Sequence, residues 1–518
     1  MLDEHCKPIF TYDGQGKLVR ERGMSWVLTG LFLSGEMAGA GVIALPIAVR
    51  SLGFYTGLLF MACSALMATY TATILGKSWL ILQKHWPMYR YHCRDPYAQI
   101  GYRAYGTFVK RSVEIILNIG YFCCAVLLLV IVSKNVNDAV KQFFKVNFDF
   151  CFLAVIVTGV ITPFCYLKSP QEFWWAIIIG MLCTLTAVLL SMGGVISDME
   201  LCQDTLTVPD FNVMNAFTSM GSILFAYGGH ACFPTVQSDM TRPYKFTYSS
   251  VLAYTLMSLL YFPLSIVANM AYNNNLNSSV INNLQIDWIQ QTVNLLITAH
   301  CMFAVIIVIN PAMQSAENFL KAPQEFGVSR VVIRSALMLI ALVIAETFPE
   351  FGPLMGLLGA TVVSTTSFLF PVLFYIPLRE MDQQLSRKRL NWSINSKNRR
   401  ISVIEDDTIG TKRLNLTPVS SFNNGPTRAQ KIQPVPFGDA LNKMPRRELV
   451  ILFFIFLTSF VIMIVSTISA THDLATASFK MPCYLRWLRD WPQTSGPVTP
   501  IYCCGTYSNI SRGGCIRK

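Results

Sequence analysis

Residues 35 to 46 read Gly-Glu-Met-Ala-Gly-Ala-Gly-Val-Ile-Ala-Leu-Pro, a glycine-rich stretch with one carboxylate, set inside an apolar run that opens near Met24. At ~1.5 Å per helical residue, Glu36 falls ~18 Å into that run, near the middle of a ~30 Å hydrocarbon core. Glycines loosen a helix here and free backbone amides and carbonyls, which lipid tolerates only where protein or a polar cavity covers them. Freed groups of this kind bind polar solutes, so the break is a candidate substrate site. Pro46 suits the first turn of a helix restarting after the break, where its missing N–H costs nothing. A packing kink is the competing reading, because small residues also let membrane helices approach closely.

A second interruption, Phe225-Ala226-Tyr227-Gly228-Gly229-His230, is followed by Pro234. Two titratable groups accompany the breaks. Glu36 is the only carboxylate well inside an expected span, since Glu114, Glu317 and Glu346 lie nearer span ends. Withdrawal from water disfavours the charged form of such a group, which makes Glu36 a candidate for carrying a coupling proton. A hydrogen-bonded residue that merely stabilises the break is the alternative. His230 is the second proton-coupling candidate, with ordinary helix packing as its alternative.

The elements that must position these residues are membrane spans. The 518 residues are 53% hydrophobic and 14% charged, and the mean hydropathy is +0.44, values that fit a polytopic membrane protein. Apolar stretches run about 24 to 49, 55 to 82, 112 to 133, 149 to 167, 173 to 197, 212 to 236, 248 to 272, 287 to 313, 331 to 348, 352 to 377 and 449 to 470. Each approaches the ~17 to 25 residues a spanning helix needs, so eleven spans are expected in an all-α fold.

The first 23 residues are polar, and the apolar run after them is too long for a cleavable signal core. They are expected to form a cytoplasmic tail. Lys84, Arg90, Arg94, Arg103, Lys110 and Arg111 between spans two and three, and the basic segment between spans ten and eleven, place both connections in the cytosol. The connection of spans five and six holds Asp198, Glu200, Asp204 and Asp210, which suits the outer face, while Lys134, Lys141 and Lys145 between spans three and four are an exception. The net charge of +12 then reflects loops facing anionic lipid, and no nucleic-acid partner is expected.

An odd span count puts residues 471 to 518 outside. Cys483, Cys503, Cys504 and Cys515 cluster there around the sequon at Asn509, and four cysteines in an oxidising compartment pair in three possible ways. Asn277, between spans seven and eight, heads a second sequon. The remaining cysteines, with Cys123 and Cys124 among them, read as small buried hydrophobes. Residues 378 to 448 are polar and lack helical apolar periodicity, so a disordered cytoplasmic loop and docking place for a regulatory partner is expected. Ser402, after Arg399 and Arg400, is a phosphorylation candidate within it.

The second break lies five spans after the first, and paired interrupted helices at matching positions point to a transporter built of inverted repeats with its site at the midplane. The motif ending Ile43-Ala44-Leu45-Pro46, the stretch Gly221 to Met240 (GSILFAYGGHACFPTVQSDM) and Asn310 to Glu317 (NPAMQSAE) resemble the amino acid/auxin permease family. The resemblance covers residues 22 to 377 and 447 to 470. It implies a LeuT-type fold, five plus five inverted repeats with one added helix, and secondary active transport of amino acids. It further implies that amides around Gly39, Ala40 and Gly41 receive the substrate carboxylate. Carbonyls near Met37, Ala38, Phe225 and Ala226, beside Gly228, then hold its ammonium group, and Tyr121, Phe225 and Tyr227 face its side chain. The seventy-residue insertion and the cysteine-bearing tail depart from the family's compact pattern.

Neutral amino acids are favoured because Glu36 is the one charged side chain expected at the site. In LeuT-like sodium transporters an ion bridges the first break to hydroxyls of span eight, whereas residues 299 to 314 contain no Ser or Thr. A proton is therefore the favoured coupling ion and sodium the alternative, with no other metal or cofactor expected. The plasma membrane is the favoured location and an endolysosomal membrane the alternative. A non-transporting amino-acid sensor would keep both breaks. A channel lacks its ring of filter residues here, and an enzyme its paired carboxylates, metal cluster or nucleophile.

Overall fold

A computed structural model describes residues 9–91, 93–145, 148–167, 174–202, 211–272, 276–323, 325–406 and 435–476. The amino-terminal segment forms a hairpin, β1 (Phe10–Tyr12) against β2 (Leu18–Arg20), with Thr11 opposite Val19. Helices follow: α1 (Trp26–Met37), α2 (Ala40–Ser51), α3 (Phe54–His85), α4 (Pro96–Tyr105), α5 (Thr107–Phe144), α6 (Phe150–Cys165), α7 (Trp174–Cys202), α8 (Val213–Ala226) and α9 (Phe233–Ser238). Beyond them lie α10 (Phe246–Tyr272), α11 (Asp287–Phe319), α12 (Val328–Thr347), α13 (Phe351–Leu358), a π-helical stretch at Gly359–Leu369, α14 (Phe370–Asp406), α15 (Phe437–Asn442) and α16 (Arg446–Thr476).

Eight of the helical segments are long and apolar enough to cross a bilayer, and nine when the bent pair α1 and α2 counts as one span. The expected eleven are thus not reached among the described residues. The difference lies at α6 and α8, apolar helices of only 16 and 14 residues. The helix α8 stops early because two glycines follow Tyr227 and provide no side chains to hold the next turn. On the outer surface of these helices Leu66, Phe108 and Phe453 are largely exposed, as lipid-facing side chains must be when the solvent is hydrocarbon.

Hydrogen bonds fix which helix ends share a face. Arg20 Nη1 donates to the Ser238 carbonyl at 2.7 Å and to Asp239 Oδ1 at 2.8 Å. Met24 and Asp239, then Thr241 and Met24, are joined through their backbones at 2.8 and 2.9 Å. The chain therefore enters its first span where it leaves the α8 and α9 pair, so the two broken helices run in opposite directions. The start of the first span also packs on α10, through Ser249 Oγ to the Trp26 carbonyl.

Two expectations need correction. Pro46 does not sit in a first turn: α2 restarts at Ala40, which puts Pro46 inside the helix, where the missing N–H leaves the Val42 carbonyl without its usual donor. Residues 378–406 are not an unstructured loop but the continuation of α14. Polar ties hold its near half: Lys84 Nζ and His85 Nε2 each lie 2.7 Å from Asp382 Oδ1, and Lys443 Nζ lies 3.2 Å from Glu380 Oε1. Residues 407–434 fall outside the described residues.

Candidate functional site

The first break is built by a change of helix direction. The helix α1 ends at Met37; the Ala38 N–H still reaches the Ser34 carbonyl at 2.8 Å, and extended Gly39 leads into α2, bent by 64° from α1. Because α2 begins at Ala40, the amides of Ala40 and Gly41 belong to its first turn and have no donor role within the helix. They form the positive end of that helix dipole. In the second break the Gly228 N–H closes on the Phe225 carbonyl at 2.9 Å, and the chain passes through Gly229 to α9.

The breaks meet. A Cβ at Gly41 would stand 2.8 Å from Ala226 Cβ and 2.9 Å from its Cα, so only glycine lets the restarted helix touch the second break. One side chain spans both: the Tyr261 hydroxyl of α10 lies 3.1 Å from the Ala226 carbonyl oxygen and 3.4 Å from that of Met37. Sequence reasoning missed Tyr261. Its signal was Tyr254, one heptad earlier on the same helical face, whose hydroxyl donates to the Tyr227 carbonyl at 3.2 Å.

Glu36, in the last turn of α1, is half-buried and has no hydrogen-bond or ion-pair partner among the described residues. Tyr121 and Cys124 of α5, with Cys232 beyond the second break, are within electrostatic reach of its carboxylate. Tyr121 and Phe225 are both partly exposed beside the breaks. Met37, Ala38, Gly39, Ala40, Gly41, Ala226 and Gly228 are brought together with them as backbone, which is the only part of most of these residues that chemistry can use.

Two aromatic candidates behave otherwise. The Tyr227 ring is fully buried, 5.4 Å from the Tyr261 ring and 6.3 Å from that of Tyr254, and so packs against the side chain that joins the two breaks. His230 is also fully buried and stacks on Phe233 at 4.8 Å. Its Nε2 is 3.1 Å from the Ala68 carbonyl and 3.0 Å from Thr71 Oγ1, and its Nδ1 is 3.4 Å from the Tyr254 hydroxyl. A carbonyl only accepts, which assigns the proton to Nε2. Bonded through Nε2 to α3 and set with Nδ1 beside the Tyr254 hydroxyl, which it shares with the Tyr227 carbonyl, His230 packs the second break against α3 and α10.

Another histidine stands at the first break. His300 of α11 is 5% exposed, and a Cβ at Gly39 would lie 2.8 Å from its Nε2. The signal was there to be read, as a polar side chain inside an apolar run two residues after Thr298. Thr298 itself turns its hydroxyl onto the Asn294 carbonyl of its own helix at 2.6 Å.

The modification candidates lie elsewhere. Asn277 is half-buried, its N–H bonded to Asn283 Oδ1 at 2.9 Å, and Ser402 falls on α14. Asn509 and the four tail cysteines lie outside the described residues. Cys151, expected to be a plain buried thiol, is disulfide-bonded at the start of α6.

Residues 22–398 match the family model for transmembrane amino acid transporter protein. Among curated proteins, amino acid transporter AVT1H of Arabidopsis thaliana is 25% identical over 402 residues, 72% of this chain and 86% of the relative. Lysine histidine transporter-like 6 of the same plant is 24% identical over 418 residues, again 72% and 86%. Among solved structures, an Eremococcus coleocola manganese transporter overlays with a TM-score of 0.42 and 11% identity, over 87% of this chain and 94% of that one.

Proposed function

Because the chain belongs to the transmembrane amino acid transporter family, we propose that it is a proton-coupled carrier of neutral amino acids working by alternating access. The observation that carries the reading is the meeting of two oppositely directed, broken helices at Gly41 and Ala226. An α-amino acid has a carboxylate and an ammonium group at one end. First-turn amides of Ala40 and Gly41 offer donors for the former. Carbonyls around Ala38 and Phe225 offer acceptors for the latter, while Tyr261 holds those of Met37 and Ala226 in place. Five spans precede the second break and the helices run antiparallel, which supports a five-plus-five inverted repeat of LeuT type with α16 as the added helix.

Tyr121, Cys124, Phe225 and Cys232 surround the breaks with uncharged side chains, which favours a neutral substrate. Glu36, unpartnered at the end of α1, is the proton carrier in this reading: protonation removes a charge that must otherwise cross the bilayer, so the loaded carrier reorients as a neutral unit. At the plasma membrane the outcome is uptake; in an endolysosomal membrane the same topology exports from the lumen.

The test is uptake of labelled amino acids into proteoliposomes holding the purified protein, with proton and sodium gradients imposed separately. Saturable uptake under the proton gradient alone is expected. Uptake driven only by sodium overturns the coupling assignment, and binding without uptake makes the protein a sensor.

A further inference from the structure

A cavity of about 370 Å³ opens where the connections of spans three to four, seven to eight and nine to ten come together, at the face opposite Arg20 and Asp239. Its volume lies within the ~300 to 1,000 Å³ usual for small-molecule sites. Asp138, Asp149, Glu346 and Glu350 line it against a single lysine, Lys134, a formal excess of three negative charges. Ile43, two residues after Gly41 on α2, lines it as well. The cavity therefore borders the helix that continues from the first break.

Glu346 makes the cavity more than an acidic rim. It is only 8% exposed, lines the cavity, and has no hydrogen-bond or ion-pair partner among the described residues. Asp149, another anion lining the cavity, acts on it electrostatically. A carboxylate withdrawn from water beside a like charge gains from a cationic neighbour. The cavity is far larger than a single dehydrated metal ion needs, and its mix of carboxylates with apolar Ile43, Ile131 and Phe351 suits an organic cation with an alkyl stem.

We propose that this cavity is a binding site for a primary ammonium ligand, such as a diamine or the side chain of a cationic amino acid. The ammonium sits between Glu346 and Asp149, and the alkyl chain lies toward Ile43. Occupied, the cavity obstructs entry to the breaks from its face, so external amines slow transport of neutral substrate. The effect on transport rests on the carrier reading above; the binding itself does not.

Cadaverine is the probe, since it has the ammonium and stem but no carboxylate for the amides of the break. Titrated calorimetrically into the purified full-length protein in nanodiscs, it is expected to bind saturably. The affinity falls at least tenfold in Glu346→Gln and rises in Lys134→Gln, a variant of opposite sign that keeps the test informative should Glu346→Gln fail to fold. Equal affinity in wild type and both variants overturns the proposal. So does abolition of binding by millimolar sodium where equal choline has no effect, because the cavity is then an inorganic cation site. In proteoliposomes, cadaverine on the cavity side slows neutral amino-acid uptake by wild type and spares Glu346→Gln; absence of any uptake sinks the carrier reading and leaves the calorimetric result standing.

Discussion

The Tyr261 hydroxyl donates to the Ala226 carbonyl across 3.1 Å, with the Met37 carbonyl 3.4 Å from the same oxygen, so one side chain of α10 holds the acceptors of both breaks. Tyr261→Phe keeps the ring and removes that tie. A net hydrogen bond stabilises by about 0.5 to 1.5 kcal/mol, so a rise in KM of about 2- to 13-fold is expected with expression near normal. Unaltered KM and maximal rate in proteoliposomes would remove Tyr261 from the site.

Glu36→Gln preserves the shape of the α1 terminus while deleting its titratable charge. Exchange of internal for external substrate should persist, because it needs no net proton movement. Uptake against a gradient should lose its drive, and its rate should no longer rise as the outer pH falls. A variant with the wild-type pH profile would assign the proton to another group.

Gly41→Leu tests the contact between the breaks. Its Cβ falls 2.8 Å from Ala226 Cβ, a separation that forces the two helices apart, so substrate binding should drop by more than tenfold in protein that still purifies as a monodisperse species. Normal affinity there would be incompatible with a site formed at this contact.

A stability prediction concerns α12. Arg334 is fully buried, bonded to Glu317 Oε1 at 2.6 Å, Asn310 Oδ1 at 3.1 Å and the Leu167 carbonyl at 3.0 Å. Arg334→Met removes the shorter of the two arginine contacts to Glu317, leaving Arg330 Nε at 3.3 Å, and should cost about 1.5 to 3 kcal/mol. Denaturant midpoints in detergent measure this, and Arg334→Lys should recover only part of it because a lysine cannot reproduce the guanidinium fork.

The Arg20 and Asp239 pair is partly exposed, 26% and 38%, so its contribution is modest, about 0.2 to 1 kcal/mol. It nevertheless joins the entry of one broken span to the exit of the other. Arg20→Ala and Asp239→Ala should each raise the rate at which Cys232 reacts with a thiol reagent by about 1.5- to 5-fold, and the double variant should exceed neither. Additive effects would show that the two residues act separately.

Membrane class, the order of the spans and the place of both breaks were set by local sequence. Long apolar runs have no alternative solvent, and glycines weaken a helix wherever they stand, so neither needs knowledge of what packs nearby. The same local logic failed for residues 378–406, whose polar composition hid a helix continuing from α14 and held by Lys84 and His85 on α3. It also misplaced Pro46 by more than a turn, since the restart depends on where Gly39 bends the chain.

Only the tertiary structure decided which side chains attend the breaks. Tyr261 and His300 lie 35 and 74 positions after Ala226 in sequence, and the local signals beside them, Tyr254 a heptad before one and Thr298 two positions before the other, do not say that either reaches a break. Tyr227, adjacent to the break, is buried because Tyr254 and Tyr261 offer its ring a surface to pack on. Position along the chain fixes where backbone can open; the direction a side chain takes follows from the helices packed around it, and those come from spans far away in sequence.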